Sequence, residues 1–242
     1  MYAWFKFFRV VNLPTVPGDV FAGAAAFAFA TNCYAPALVA WAGLASTLLY
    51  MFGLADNDIV GAKSDAGRPI PDGEISLVAA RIARALCLAG ALVIAQVAPL
   101  PFEWYESAAL LVLMIVVYNR TKIALFMGCC RGFNVGCGFA VAYGVADVLS
   151  LDWWRWCPPL LVAAIFTLYI AAVTKYSEGE ETDPRRKRRV GLLIGSHIYL
   201  QLVALMVFAW FVPSTMPLLV MGAAMLIALR ILKRSFTEVS AS

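Results

Sequence analysis

Histidine occurs once in this 242-residue chain, and charged side chains make up only 14% of it. None of the six cysteines (Cys33, Cys87, Cys129, Cys130, Cys137 and Cys157) forms a Cys-x-x-Cys pair with histidine partners, which argues against a zinc site. Most of them fall inside apolar runs and read as small buried hydrophobes. Cys33 and Cys157 map near the same face, which leaves a disulfide between them open. Polar–apolar alternation is missing too. A run such as PALVAWAGLASTLLYMFGL is apolar on all sides, which argues against a β-barrel. No low-complexity linker divides the chain, so residues 1–242 read as one domain. No soluble module accompanies the basic run from Arg185 to Arg189. That run and the net charge of +4 therefore do not point to nucleic acid, and suit stop-transfer charge and anionic lipid headgroups.

What is present is apolar surface. Hydrophobic residues make up 62% of the chain, and mean hydropathy is +0.80. A soluble domain of this size could not cover itself with polar groups. Eight runs, near 13–31, 36–56, 77–98, 103–118, 123–146, 157–175, 190–212 and 216–232, approach or exceed the roughly 20 residues a helix needs to cross a bilayer. The expected fold is an all-α integral membrane bundle of about eight transmembrane helices, its first run retained as a span. With the N-terminus in the cytoplasm, every Lys and Arg except Arg155 falls on the inner side.

The chemistry concentrates on that side. The stretch ADNDIVGAKSDAGRPIPDGEIS, residues 55–76, holds Asp56, Asp58, Asp65, Asp72 and Glu74. If the second span continues as helix, Asp58 and Asp65 lie seven residues apart on one face, with Gly61 between them. Asn57 adds a neutral oxygen. Hard oxygen donors of this kind suit Mg²⁺ bridged to a substrate phosphate. GRPIPDG then forms a turn that places Arg68 where it can fork onto phosphate oxygens, and Ser76 caps the next helix. A second acidic loop, TKYSEGEETDPRRKRR, brings Glu178, Glu180, Glu181 and Asp183 close to Lys175. The simpler alternative is that both are solvated inter-helix loops.

Residues 56–76 resemble the first signature of the UbiA superfamily of intramembrane prenyltransferases, NDxxDxxxD followed by RPIPSG. Here it reads Asn57-Asp58, Gly61 in place of the middle Asp, Asp65, and then Arg68-Pro-Ile-Pro-Asp72-Gly after a shorter interval. Tyr176-Ser-Glu178-Gly179-Glu180 resembles the second signature, DxEGD, without its leading acid. YNRTK, with Arg120 and Lys122, and RVVNLPTVPGDVFAG, with Arg9 and Asn12, resemble further family segments. The likeness runs from about Arg9 to Gly195. Most members have nine helices. The shorter chain and the replaced acids resemble a short, divergent bacterial branch.

The resemblance implies Mg²⁺-dependent transfer of a polyprenyl group from a prenyl diphosphate donor to a hydrophobic, aromatic or lipid acceptor. It implies an integral protein of a bacterial inner membrane, with the active-site loops cytoplasmic. Asp58 and Asp65 are the expected catalytic pair. Asn57, Asp58, Asp65, Glu178 and Glu180 are the expected metal side. Arg9, Asn12, Arg68, Arg120, Lys122, Arg131 and Asn134 are expected to bind substrate. Two rivals stand beside this reading: a non-catalytic isoprenoid- or lipid-binding or transport-related relative, and a terpene cyclase on the same scaffold.

Ionisable groups inside spans are costly and so are rarely idle. In the first span Arg9, Asn12 and Asp19 follow one helical face, with Asp19 either facing the cavity or ion-paired between helices. Arg131 lies about 12 Å into its span, where it would either serve an anionic ligand or pair with a carboxylate such as Asp19. Gly128, Gly132, Gly136 and Gly138 around it permit close helix packing. His197 reads as either a base or a hydrogen-bonded bundle histidine. Trp153, Trp154, Trp156, Trp104 and Tyr105 read as an interfacial belt.

Overall fold

A computed structural model describes residues 2–63, 67–145, 153–178 and 184–240. Among them are nine α-helices and no strand: α1 (Tyr2–Phe7), α2 (Pro17–Thr31), α3 (Pro36–Val60), α4 (Leu77–Val97), α5 (Phe102–Thr121), α6 (Ala124–Val145), α7 (Cys157–Ser177), α8 (Pro184–Phe211) and α9 (Met216–Ser240). Eight segments are long and apolar enough to cross a membrane, with α1, a 3₁₀ turn and α2 forming the first. The chain is an all-α integral membrane bundle, and its spans follow the apolar runs closely.

The helix ends follow local chemistry. Pro17 and Pro36 open α2 and α3, where a missing N–H does no harm. Ser76 Oγ accepts from the Ala79 N–H at 3.1 Å and caps α4, as expected.

Two expectations fail locally. The first span is not one continuous helix. The chain turns at Arg9 (φ 43°, ψ 49°) into a 3₁₀ turn over Val10–Thr15 that contains Pro14, which has no N–H to continue an α ladder. Arg9, Asn12 and Asp19 therefore do not share a single α face. The second span does not continue to Asp65 either. α3 stops at Val60, and Gly61, a poor helix former, closes it with its N–H on Asn57 O at 3.0 Å. Asp65 lies outside the described residues.

Helix α2 is the axis of the bundle. It packs against α3, α6, α7, α8 and α9, and every residue from Gly18 to Ala28 is buried. A helix surrounded on all sides must be narrow, and GDVFAGAAAFAFA supplies small side chains. Its contact with α6 is backbone to backbone: a Cβ at Gly138 would overlap the Val20 carbonyl, and one at Gly23 the Val135 carbonyl. On the other side of α6, Gly128 faces the Thr167 carbonyl of α7. Many large aliphatic residues of the outer helices point outward. α4 packs chiefly on α3 and exposes Val78, Ile82, Leu86, Val93 and Val97, as a helix facing hydrocarbon does.

The aromatic belt is only partly as expected. Trp154 is exposed, but Trp104 is fully buried in the core beside Ala98 and Leu100, whose turn folds inward. All six cysteines, Cys33 and Cys157 included, are unpaired.

Gly138→Ala should lower stability by about 1–3 kcal/mol, because two backbones must separate. Gly136→Ala, where a Cβ would meet only Ser107 Oγ at 3.8 Å, should be neutral or gain up to about 1 kcal/mol of helix propensity. Thermal unfolding of the two variants in detergent compares them directly.

Candidate active site

A cavity of about 330 Å³ opens between the segment ahead of α2 (Arg9, Asn12 and Val16), α3, α5, α6, α7 and α8. It brings together seven of the residues singled out from the sequence: Arg9, Asn12, Asn57, Arg68, Lys122, Arg131 and Asn134. The rest of its wall is largely aliphatic, with Leu111, Ile115, Ile170, Val173 and Ile194. Tyr50 and Tyr118 line it too, and the Tyr50 ring lies 5.4 Å from the Arg131 guanidinium.

Backbone geometry aims two of the cations. Arg9 and Lys122 are two of only three non-glycine residues with positive φ among those described. Lys122 (φ 56°) ends α5 in the left-handed conformation, with its N–H on Tyr118 O at 2.7 Å. Its ammonium donates to Asn57 Oδ1. Arg68 sits in the RPIPDG turn, which is closed by the Asp72 N–H on Arg68 O at 3.0 Å and the Ile75 N–H on Pro69 O at 3.0 Å.

The acids lie behind this surface and are turned onto cations. Asp58 is 3% exposed and does not line the cavity. Its Oδ1 accepts from Arg68 Nη1 at 2.7 Å and lies 3.5 Å from Arg9 Nη2. Asp56, equally buried, accepts from Arg84 Nη1 at 2.8 Å and Asn119 Nδ2 at 3.0 Å, with Arg120 Nη1 at 3.5 Å. Arg120 thus serves Asp56 and does not line the cavity.

Deeper in the bundle, Asp19 is fully buried and joins three helices. Its Oδ2 accepts from Arg131 Nη1 at 2.9 Å and Asn134 Nδ2 at 3.1 Å. Its Oδ1 accepts from Gln201 Nε2 and lies beside His197 Nε2, both at 2.7 Å. His197 is therefore a hydrogen-bonded bundle histidine, stacked on Tyr169 and buried away from the cavity. Asp19 does not face the cavity, whereas Arg131 both pairs with it and reaches the wall.

The expected metal side is the part the described residues do not assemble. Asn57 accepts from Lys122, Asp58 is held by two arginines, and Glu178, exposed, bonds Lys175 Nζ at 2.8 Å. Asp65 and Glu180 lie outside the described residues. Among those described, no three His, Cys, Asp or Glu side chains gather to hold a metal. Mg²⁺ needs several oxygen donors turned toward it, and these are turned toward nitrogen. The described donors alone do not complete a site for the ion.

Sequence reasoning noted Asp56 in the acidic stretch without giving it a role, and assigned none to Asn119, Gln201 or the lining tyrosines. Asn119 sits within the YNRTK segment, which was the available signal. Gln201 lies one turn after His197 on α8, and its partners are more than 180 residues away in sequence.

Asp19→Asn leaves Arg131 buried without its counter-charge and should cost about 3–5 kcal/mol. Adding Arg131→Met to that variant should recover part of the loss, read as a Tm in detergent; strictly additive losses would show the two to be uncoupled. At the left-handed position 122, Lys122→Gly should be more stable than Lys122→Ala by about 1 kcal/mol.

No protein-family model and no curated protein sequence matches the chain. Solved structures do match in shape. A structure of digeranylgeranylglyceryl phosphate synthase matches at TM-score 0.54 and 13% identity, covering 97% of this chain and 95% of the other. A UbiA homolog from Archaeoglobus fulgidus bound to GPP and Mg²⁺ matches at TM-score 0.53 and 14% identity, covering 98% and 87%. The same homolog bound to DMAPP and Mg²⁺ matches at TM-score 0.53 and 15% identity, covering 96% and 87%. With its helices in this order around a polar-mouthed cavity, the chain has the UbiA fold.

Proposed function

We propose that this chain is a UbiA-type intramembrane prenyltransferase. It binds a prenyl diphosphate in the cavity and transfers the prenyl group to a hydrophobic, aromatic or lipid acceptor. The observation that carries this reading is the convergence of Arg9, Arg68, Lys122 and Arg131 on one apolar-walled cavity. Support also comes from the UbiA homologs of the same fold, which hold GPP and DMAPP.

In this reading the diphosphate lies against the cations and the isoprenoid tail along Leu111, Ile115, Ile170 and Val173. The donor's C1–O bond breaks heterolytically, and the bonding pair leaves with the diphosphate. Guanidinium and ammonium groups fixed in advance stabilise the charge that develops on the leaving oxygen. The aliphatic wall keeps water from the allylic cation. The acceptor's electron pair then closes a bond to C1, and the acceptor loses a proton. The cavity mouth faces the cytoplasm, the side that receives all the basic residues but Arg155.

A second reading is a protein that binds the diphosphate without turning it over. It is favoured by Asp56 and Asp58, whose carboxylates are turned onto arginines. Protein reconstituted in lipid nanodiscs, incubated with geranyl diphosphate and a membrane lipid extract, separates the two. The expected result is pyrophosphate release with a prenylated lipid or quinol precursor by mass spectrometry, reduced about 10²–10³-fold in Arg131→Gln. Binding without release supports the second reading. A cyclised hydrocarbon formed from donor alone would mean a cyclase, and absence of binding would overturn both readings.

A further inference from the structure

Away from the cavity, Arg230 stands exposed on the outer face of a span. It lies about 8 Å inside the end of the span Pro213–Ser235. Ile227, Arg230, Ile231 and Arg234 follow one face of α9, and all four are exposed. A guanidinium facing hydrocarbon is costly and calls for a partner. The partner in this structure is neutral: Arg230 Nη2 donates to Tyr199 Oη at 3.2 Å. Tyr199 is also exposed and sits midway along the span Arg188–Phe211. From Pro184 to Thr237 the sequence contains no Asp or Glu. The flanking acids, Asp183 and Glu238, are sixteen residues from Tyr199 and eight from Arg230, more than two helical turns in each case.

The pair has the donors of an anion clamp. A guanidinium carries five N–H groups, and Arg230 gives one to Tyr199. Tyr199 Oη accepts that bond, so its own O–H is left to donate. The surrounding charge has one sign. Arg188 shares the exposed face of α8 with Leu192, Tyr199 and Val203. Lys233 Nζ reaches across the α8–α9 seam to within 3.5 Å of Gly191 O. Toward the middle of the bilayer the same faces are apolar, with Leu192, Val203 and Ile227 exposed. A basic seam that continues into apolar helix faces complements an amphiphile with an anionic phosphate, and basic sites between spans bind such headgroups. A free phosphate has no chains to lie on those faces. A second copy docked here about a two-fold axis would set one basic seam against another.

We propose that the α8–α9 seam binds the phosphate of an anionic bilayer phospholipid, in the leaflet on the side of the cavity mouth. Arg230 and Tyr199 form the clamp, and Arg188 adds positive field beside it. The acyl chains lie along the exposed apolar faces of α8 and α9. The site is separate from the cavity and does not depend on the prenyl diphosphate reading. A lipid bound there bridges two helices of the folded state and so stabilises it.

The test takes full-length protein stripped of lipid in detergent and titrates it with phosphatidylglycerol, phosphatidylcholine or inorganic phosphate, read by native mass spectrometry and Tm. The expected result is uptake of phosphatidylglycerol about fivefold or more tighter than of phosphatidylcholine, with a rise in Tm that inorganic phosphate does not reproduce. Arg230→Gln should weaken phosphatidylglycerol binding about tenfold or more, as loss of a charge-assisted hydrogen bond does, while its elution profile stays that of the wild type. Equal uptake of the two lipids, or full phosphatidylglycerol affinity in Arg230→Gln, overturns the site. A loss in Arg131→Gln in place of Arg230→Gln would put the lipid in the cavity and also overturns it. The same Tm rise with inorganic phosphate rejects a lipid as the occupant, and a dimer that Arg230→Gln dissolves would make the occupant a protein. Should Arg230→Gln not fold, Tyr199→Phe decides. A loss of about two- to tenfold for phosphatidylglycerol alone supports the clamp, and unchanged affinity overturns it.

Discussion

The burial of charge governs this protein. A carboxylate inside an apolar bundle is tolerated only when a cation and further hydrogen bonds accompany it. Three acids meet that condition, each by bridging separate elements. Asp19 ties α2 to α6 and α8; Asp56 ties α3 to α4 and α5; Asp58 ties α3 to the break after α1 and to the loop before α4. Between helices of nearly uniform apolar character, non-directional packing could accept several rotations and shifts. These ion pairs accept one.

The same pairs shape the cavity. Small residues let α2 and α6 touch backbone to backbone, so that side of the bundle closes without a void. On the opposite side, longer side chains from α3, α5, α7 and α8 stand apart around the open volume. Asp19 and Asp58 sit one layer behind the wall and hold Arg131 and Arg68 at its surface. The result is a chamber with a cationic mouth and an aliphatic interior.

Much of this was legible in the residues. Span positions follow from apolar run length, which the bilayer dictates independently of partner helices. The cavity cations were legible because Arg and Lys within or beside spans have few permissible destinations. The roles of the acids were not, because a carboxylate reads the same whether it faces a metal or a guanidinium. Which it faces depended on Arg9 folding back through a left-handed turn and on the RPIPDG loop carrying Arg68 over Asp58. Trp104 misled for a related reason. Its place at a helix start suggests an interface, but the inward turn at Ala98 and Leu100 carries it into the core. The 3₁₀ turn that follows Arg9 contains Pro14, a residue that the face-spacing argument for Arg9, Asn12 and Asp19 passed over.

The distances in sequence between Asp19 and its partners bear on how the chain is made. Arg131 follows Asp19 by 112 residues and His197 by 178. At a synthesis rate of about 5–20 residues per second, the first of these partners emerges on the order of ten seconds after the acid. During that interval the opening hairpin carries an orphaned charge, so it cannot settle at its final depth. Biogenesis therefore has to keep the early helices loosely held at the insertion machinery until the sixth arrives, and the axis of the finished bundle is among the last parts to lock.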